Sequence, residues 1–207
     1  TKTIAELLIS RTKEISTTLV IDFGTSNTAL GAYMDERQYP EHTQKELLKR
    51  GIPFGSIEKI KFEKVNENNE KVFAETFHTV ISVKDYSDTE NITYHYGYDT
   101  VDTASRDSFN SKASVFYEIK KWVNNYEKIE EIYDEKGNIA FVPRKEILKQ
   151  YFYYIIQSAE QRHKCKYKKL HITSPIRQKQ QFLAMYEEVL GEDYIVSTIT
   201  ALDEGIA

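Results

Sequence analysis

The feature that most constrains the fold is a change of hydrophobic pattern between the two halves of the chain. In the second half, helix and strand patterns alternate: a helix over 147–159, a strand at 170–173, a helix over 178–190 and a strand at 194–199. Because strands separated by a helix usually pair in parallel through a crossover connection, this half predicts parallel βα units.

The first half reads instead as short strands joined by turns. An apolar run at 18–23 ends at a glycine and an alternating pattern resumes at 27–33, which predicts a β-hairpin. Residues 57–65 and 71–77 alternate on either side of an asparagine-rich turn and predict a second hairpin. Further elements are expected as helices at 43–50 and 114–124 and as strands at 78–83 and 92–96.

Antiparallel hairpins followed by parallel βα units define the expected fold class. We expect an α/β chain with a mixed five-stranded sheet and helices on both faces of that sheet. Residues 1–17 are expected as an N-terminal helix or arm, because Ile4, Leu7 and Leu8 lie at helical spacing.

Composition narrows the class of protein. Of 207 residues, 40% are apolar and 29% are charged, and no apolar stretch is long enough for a membrane span. The single cysteine, Cys165, excludes a disulfide framework. A net charge of −4 argues against nucleic acid as a partner. Without a secretory leader we expect a cytoplasmic protein, and because the sequence starts at Thr1 rather than Met we expect a longer parent chain.

The end of the first strand carries the candidate chemistry. Asp22 closes a buried strand, where a carboxylate is costly unless its charge is used. Gly24 lets the backbone turn tightly and approach a ligand, and successive N–H groups in such a turn form an anion-binding nest. Thr25, Ser26 and Asn27 add donors for phosphate oxygens, and Asp22 is suited to hold Mg²⁺ through water. The alternative interpretation is an ordinary hairpin with a capped turn.

Residues 22–28, Asp-Phe-Gly-Thr-Ser-Asn-Thr, resemble the first phosphate motif of the actin, sugar-kinase and heat-shock 70 kDa chaperone ATPase superfamily, and are most similar to its chaperone branch. Other segments resemble that branch in the same order, so that the similarity covers about 18–207. They are 94–98 with Ala104, 115–123, 140–164, 171–175 with Gln178 and Gln181, and 200–207.

This resemblance implies a ribonuclease-H-like, actin-like ATPase lobe over 18–207, with a smaller β-rich subdomain inserted at about 35–110. It implies ATP and Mg²⁺ as cofactors and, in the parent protein, ATP hydrolysis that switches the orientation of two lobes. Asp22 matches the magnesium-linked aspartate of the catalytic centre, and Gly24, Thr25, Ser26 and Asn27 match the phosphate-contacting turn. Lys120 matches the lysine that orients the attacking water; an alignment shifted by one residue would give that role to Lys121.

The sequence also departs from the family pattern. The family's Glu-Pro pair falls at Ala201 and Leu202, where Asp203 or Glu204 would have to substitute. The second phosphate loop, D-x-G-G-G-T, follows the point at which this sequence stops. We therefore expect one lobe with half of the nucleotide contacts: a folded chain that binds nucleotide weakly and is inactive by itself.

Three other functions stay open at this stage. A catalytically degenerate nucleotide sensor or protein-interaction module would share the fold, as would a small-molecule kinase. A ribonuclease-H-like nuclease would need several carboxylates around two metals, and the strand that ends at Thr173 offers no second acid. Protein partners or clients are expected through other regions of the parent.

Two remaining features favour structural roles. His163 and Cys165 could suggest a metal site, but the lysines around them disfavour a bound cation. The basic run at 162–169 is expected as the solvated end of a helix, with a partner-binding patch as the alternative.

Overall fold

The computed structural model describes residues 13–66, 68–86, 92–106 and 112–200, without the side chains of 103–106 and 200. The strands are β1 (Glu14–Phe23), β2 (Asn27–Tyr33), β3 (Ile57–Lys59), β4 (Phe62–Val65), β5 (Lys71–Ala74), β6 (Phe77–His78), β7 (Val80–Asp85), β8 (Thr93–Tyr96), β9 (Val115–Tyr117), β10 (Ile129–Tyr133), β11 (Ile139–Pro143), β12 (Lys166–Ser174) and β13 (Ile195–Thr200). The α-helices are α1 (Glu41–Lys49), α2 (Tyr98–Arg106), α3 (Arg144–His163) and α4 (Lys179–Leu190).

The main sheet is mixed, with the strand order β13-β12-β1-β2-β3 and β6 paired to β2 at one end. In the described part of the chain it has six strands and not the expected five, because the two-residue strand β6 pairs with the start of β2. β1 pairs antiparallel with β2, and β2 pairs antiparallel with β3. On its other side β1 runs parallel to β12, which in turn runs parallel to β13. The expected α/β class, with antiparallel hairpins first and parallel βα units second, is thus confirmed.

Strict alternation along β1 decides which face of the sheet is buried. Leu19, Ile21 and Phe23 are completely buried, whereas Val20 and Asp22 between them are exposed. The buried side chains pack against α3 and α4: the ring of Phe23 lies 4.8 Å from that of Phe152 and contacts two further aromatic rings. This face holds the hydrophobic core.

The opposite face corrects one expectation. We expected helices on both faces, but within the described ranges no side chain that the register places on this second face is buried. Its large apolar members include Tyr33, Ile57 and Ile195, whose exposed fractions are 50%, 75% and 66%. The described helices therefore bury one face of the sheet.

Three smaller sheets surround the main one: β4–β5, β8-β7-β9 and β10–β11. The first is the hairpin predicted around residues 66–69. Of the elements within 35–110, β3 and β6 belong to the main sheet through β2, and the others lie outside it. The helix expected over 114–124 is wrong in its first part, since β9 and then a 3₁₀ helix (Ile119–Asn124) occupy this stretch, separated by Glu118 with a φ of 54°.

The chain ends can be compared with expectation only in part. β1 begins at Glu14, whereas the sequence predicts a strand from Thr18. Residues 1–12 and 201–207 lie outside the described residues, and with them most of the expected arm and Ala201, Leu202, Asp203 and Glu204. Among the helices in the described part, none combines the length and the apolar character needed to cross a membrane.

Candidate functional site

The candidate site lies at the carboxyl ends of β1 and β12, which meet at one edge of the sheet because the two strands are parallel. In open α/β sheets, ligands bind outside this edge. The turn from Gly24 to Ser26 joins β1 to β2 there. A Cβ atom on Gly24 would lie 2.2 Å from the carbonyl oxygen of Asn27, so that the turn accepts glycine alone at this position.

We expected Asp22 at the end of a buried strand, but only alternate side chains of β1 are buried, and Asp22 is exposed at this edge. One of its oxygens accepts a hydrogen bond. The hydroxyl of Thr173 donates to its Oδ1 at 2.8 Å, and the backbone N–H of Phe23 donates to the Thr173 hydroxyl oxygen at 3.0 Å. The hydroxyl of Tyr186 donates to the Thr173 carbonyl at 2.9 Å. Burial, and then the charge of Asp22, raise the pKa of Tyr186 well above its usual value, which keeps Tyr186 a donor.

Asn27, at the other end of the turn, contacts a histidine from β6. The Nδ1 atom of His78 lies 2.9 Å from Oδ1 of Asn27. Burial, and then the nearby charge of Lys64, lower the pKa of His78, which favours a neutral ring at physiological pH. A neutral ring with its proton on Nδ1 donates to the Asn27 amide oxygen and leaves the Asn27 amino group available for further hydrogen bonds.

A buried hydroxyl network supports the turn from behind. Tyr151 of α3 is fully buried. Its hydroxyl donates to Thr28 Oγ1 at 3.0 Å and also lies 3.2 Å from the carbonyl oxygen of His78, a second acceptor. The hydroxyls of Thr28 and Thr79 lie 2.9 Å apart, and the N–H of Thr79 donates to the Ser26 carbonyl at 2.9 Å. These bonds connect the turn to α3 and to Thr79, the residue that precedes β7, so the core fixes the backbone position of the turn.

The two candidate lysines differ in environment. Lys121 is exposed and forms an ion pair with Glu118 at 2.8 Å, as surface lysines commonly do. Lys120 is half-buried, and its ammonium lies 5.8 Å from the ring centroid of Phe182 on α4. Tyr186, the residue that bonds Thr173, lies one turn further along α4, and the rings of Phe182 and Tyr186 contact each other. Lys120 therefore faces the helix that borders the candidate site, whereas Lys121 does not.

The acidic groups limit what metal the site could hold. Within the described ranges, no cluster of three or more His, Cys, Asp or Glu side chains could hold a metal ion. Asp22 presents one exposed carboxylate, which fits Mg²⁺ bound by one protein oxygen together with phosphate oxygens and water. It does not fit a pair of metals bridged by several carboxylates.

Three further residues contact the candidate site although no sequence motif gives them a role there: Thr173, His78 and Tyr186. For Thr173 a signal existed: parallel pairing of the strands at 18–23 and 170–173 brings their carboxyl ends together. For His78 and Tyr186 the sequence carried no comparable signal, because their contacts depend on a two-residue strand and on the rotation of α4.

The histidine and cysteine that could suggest a metal site belong to the core. His163 and Cys165 are both fully buried, and His163 Nδ1 lies 2.5 Å from the Tyr167 hydroxyl. The basic run at 162–169 is the end of a helix only in its first part, because α3 ends at His163 and β12 begins at Lys166. Much of the run is engaged in ion pairs. The pairs are Arg162 with Glu58, Lys164 with Glu46, Lys166 with Glu160 and Lys168 with Glu14.

Comparison with models of known protein families and with curated proteins returns no match to this chain.

Proposed function

We propose that this chain is the nucleotide-binding N-terminal lobe of a heat-shock-70-like, actin-like ATPase and that it contributes half of a MgATP site. The observation that carries the proposal is the exposed Asp22 carboxylate beside a glycine turn at the carboxyl edge of parallel strands. A turn with consecutive N–H groups suits phosphate oxygens, and one carboxylate suits hydrated Mg²⁺.

The strand order supports this proposal independently of the motif. A ribonuclease-H-like lobe is expected to begin with antiparallel hairpins and to continue with parallel βα units, and the main sheet has this arrangement. β1, the strand that carries Asp22, has an antiparallel neighbour on one side and a parallel neighbour on the other.

The proposed roles follow from the environment of each residue. Asp22 binds the Mg²⁺ ion, and Gly24, Thr25, Ser26 and Asn27 contact the phosphates. Bound Mg²⁺ would neutralise charge on the phosphate oxygens. Lys120, rather than Lys121, is the lysine proposed to stabilise charge on the transferred phosphoryl group, because Lys120 leans toward α4 and Lys121 pairs with Glu118.

An NMR titration of the isotopically labelled chain tests the proposal. MgATP should shift the amide signals of Gly24 to Asn27, with weak affinity, at about millimolar concentration, because one lobe supplies only part of the contacts. Mg²⁺ with inorganic tripolyphosphate should produce similar shifts, since the proposed contacts are to phosphate and not to adenosine.

The variant Asp22→Asn should lose the magnesium-dependent part of these shifts. Glu36→Gln, at an exposed carboxylate of a 3₁₀ helix (Glu36–Gln38), is the matched control and should behave as the unmodified chain. A wild-type chain whose turn amides respond to neither ligand would refute the proposal. Binding that is never accompanied by phosphate release, even with a second lobe present, would favour a nucleotide sensor over an ATPase.

A further inference from the structure

We propose that Thr173 is the positioning residue for Asp22: its hydroxyl holds the carboxylate in one orientation before any ligand binds. The geometry consists of two consecutive hydrogen bonds, from the Phe23 N–H to Thr173 Oγ1 at 3.0 Å and from Thr173 Oγ1 to Asp22 Oδ1 at 2.8 Å. The link between this orientation and Mg²⁺ rests on the proposed function, whereas the orientation itself does not.

The position of Thr173 explains why a hydroxyl is needed there. The parallel pairing of β1 with β12 extends to Ile21 and Ile172 and stops there. The N–H of Phe23, two residues beyond Ile21, bonds the hydroxyl of Thr173 instead of a backbone carbonyl. A side-chain hydroxyl therefore continues the contact between the two strands at the point where the regular ladder ends.

The Phe23 N–H also fixes the direction in which the Thr173 hydroxyl donates. A hydroxyl has one proton and two acceptor sites. Because the Phe23 N–H occupies an acceptor site, the proton is directed to the carboxylate of Asp22. Phe23 is completely buried, so this N–H belongs to a rigid part of the backbone.

The arrangement prepares the carboxylate for a ligand. Oδ1 of Asp22 is engaged by Thr173, while within the described part of the chain Oδ2 receives no hydrogen bond. A hydrogen bond to an ionised carboxylate is stronger than one between neutral groups. Holding the side chain beforehand removes the cost of ordering it when a ligand binds. The hydroxyl of Tyr186 donates to the carbonyl oxygen of Thr173, and this bond holds the backbone at the end of β12 in place.

Three variants separate positioning from a general structural effect. Thr173→Val removes the hydroxyl and keeps nearly the same side-chain shape. Thr173→Ser removes the methyl group and keeps the hydroxyl. Thr198→Val is the matched control, since Thr198 lies on the neighbouring strand and its buried hydroxyl has no hydrogen-bond partner in the described part of the chain. The first readout needs no nucleotide: three-bond NMR couplings report the χ1 rotamer of Asp22.

We expect a single Asp22 rotamer in the wild type, in Thr173→Ser and in Thr198→Val, and averaged couplings in Thr173→Val. A single rotamer in a folded Thr173→Val chain would overturn the proposal, as would averaging in Thr173→Ser equal to that in Thr173→Val. If Thr173→Val does not fold, the wild type decides: averaged Asp22 couplings there would overturn the proposal.

The second readout is the Mg²⁺ concentration required for half-maximal shifts of the turn amides with ATP. It should rise about 10-fold in Thr173→Val, as expected for loss of a hydrogen bond to a charged group, and stay within about 2-fold in the other two variants. No change in Thr173→Val would overturn the link to Mg²⁺. If the wild type does not respond to MgATP, the proposed function fails, while the rotamer measurement still decides whether Thr173 positions Asp22.

Discussion

The polar groups at the two ends of the β1–β12 pair differ in burial: those at the amino end are buried, and Asp22 at the carboxyl end is exposed. At the amino end, Glu160, His163 and Tyr167 are buried and bond one another or nearby groups: Glu160 accepts from the Tyr167 N–H at 3.1 Å and from the Lys166 ammonium. At the carboxyl end, the Asp22 carboxylate is exposed and only one of its oxygens is engaged by a hydrogen bond from described residues.

Two buried groups at the amino end have strongly shifted pKa values. Burial lowers the pKa of His163 to about 4 and raises the pKa of the Cys165 thiol to about 11. Shifted pKa values often mark functional sites. Here these two groups lie in the desolvated core, where burial favours the neutral form of each at physiological pH, and the candidate site is at the other end. Exposure and unused hydrogen-bonding capacity are the better guides in this chain.

The largest expected effect concerns the apolar anchor next to Asp22. Phe23→Ala should lower the free energy of unfolding by about 3–5 kcal/mol, because the ring is completely buried among three aromatic neighbours. Denaturant unfolding measures this loss. Val20→Ala, on the exposed face of the same strand, is the control, and an equal loss in both variants would contradict the assignment of the buried face.

The amino end should respond to pH. The pKa of His163 is lowered in the folded chain by burial and then by Arg162, whereas an unfolded histidine titrates near pH 6.5. Between these two pKa values the unfolded chain therefore binds more protons than the folded chain. The contribution of His163 to the free energy of unfolding is fully present above about pH 6.5 and is lost as the pH falls. The free energy of unfolding should fall by up to about 3 kcal/mol as the pH falls to about 4.

The variant His163→Gln isolates this contribution. Its unfolding free energy, measured over the same pH range, should fall less steeply than that of the wild type. The remaining slope belongs to other groups that both proteins share, including His78, whose pKa is also lowered. Equal slopes in the two proteins would exclude His163 as the buried titrating group.

At the carboxyl end, Gly24→Ala should distort the turn. The added methyl group would meet the Asn27 carbonyl oxygen at 2.2 Å, and the backbone shift that follows should cost about 1–3 kcal/mol of unfolding free energy. The same variant should lose the MgATP-dependent shifts of the turn amides. A variant of unchanged stability and unchanged amide response would show that the turn does not need glycine.

The smallest effect on stability is expected at Asp22 itself. Asn keeps an oxygen that accepts the Thr173 hydrogen bond, and the side chain is exposed, so Asp22→Asn should change the free energy of unfolding by less than about 0.5 kcal/mol. Thermal or denaturant unfolding checks this value. A loss of several kcal/mol would assign Asp22 to the folded framework and remove the contrast between the two ends.

Much of the fold follows from local pattern. The apolar run at 18–23 predicts the strand β1, the 3.6-residue period over 147–159 predicts α3, and the alternation of helices and strands in the second half predicts the parallel pairing of β12 with β13. The helix expected over 114–124 failed because the same apolar spacing fits a short strand followed by a 3₁₀ helix. Short apolar runs do not distinguish these states by period alone.

Within the candidate site, the turn can be recognised from local sequence, because an acid, a glycine and three polar residues lie within six consecutive positions. The side chains that surround the turn come from distant parts of the chain and are known from the folded structure. Thr173 reaches Asp22 across 151 positions, and Lys120 is distinguished from Lys121 by the way each side chain leaves the 3₁₀ helix. The reason is physical: periodicity records which face of an element is apolar, whereas hydrogen bonds between elements depend on register and rotation, which packing of the whole chain sets.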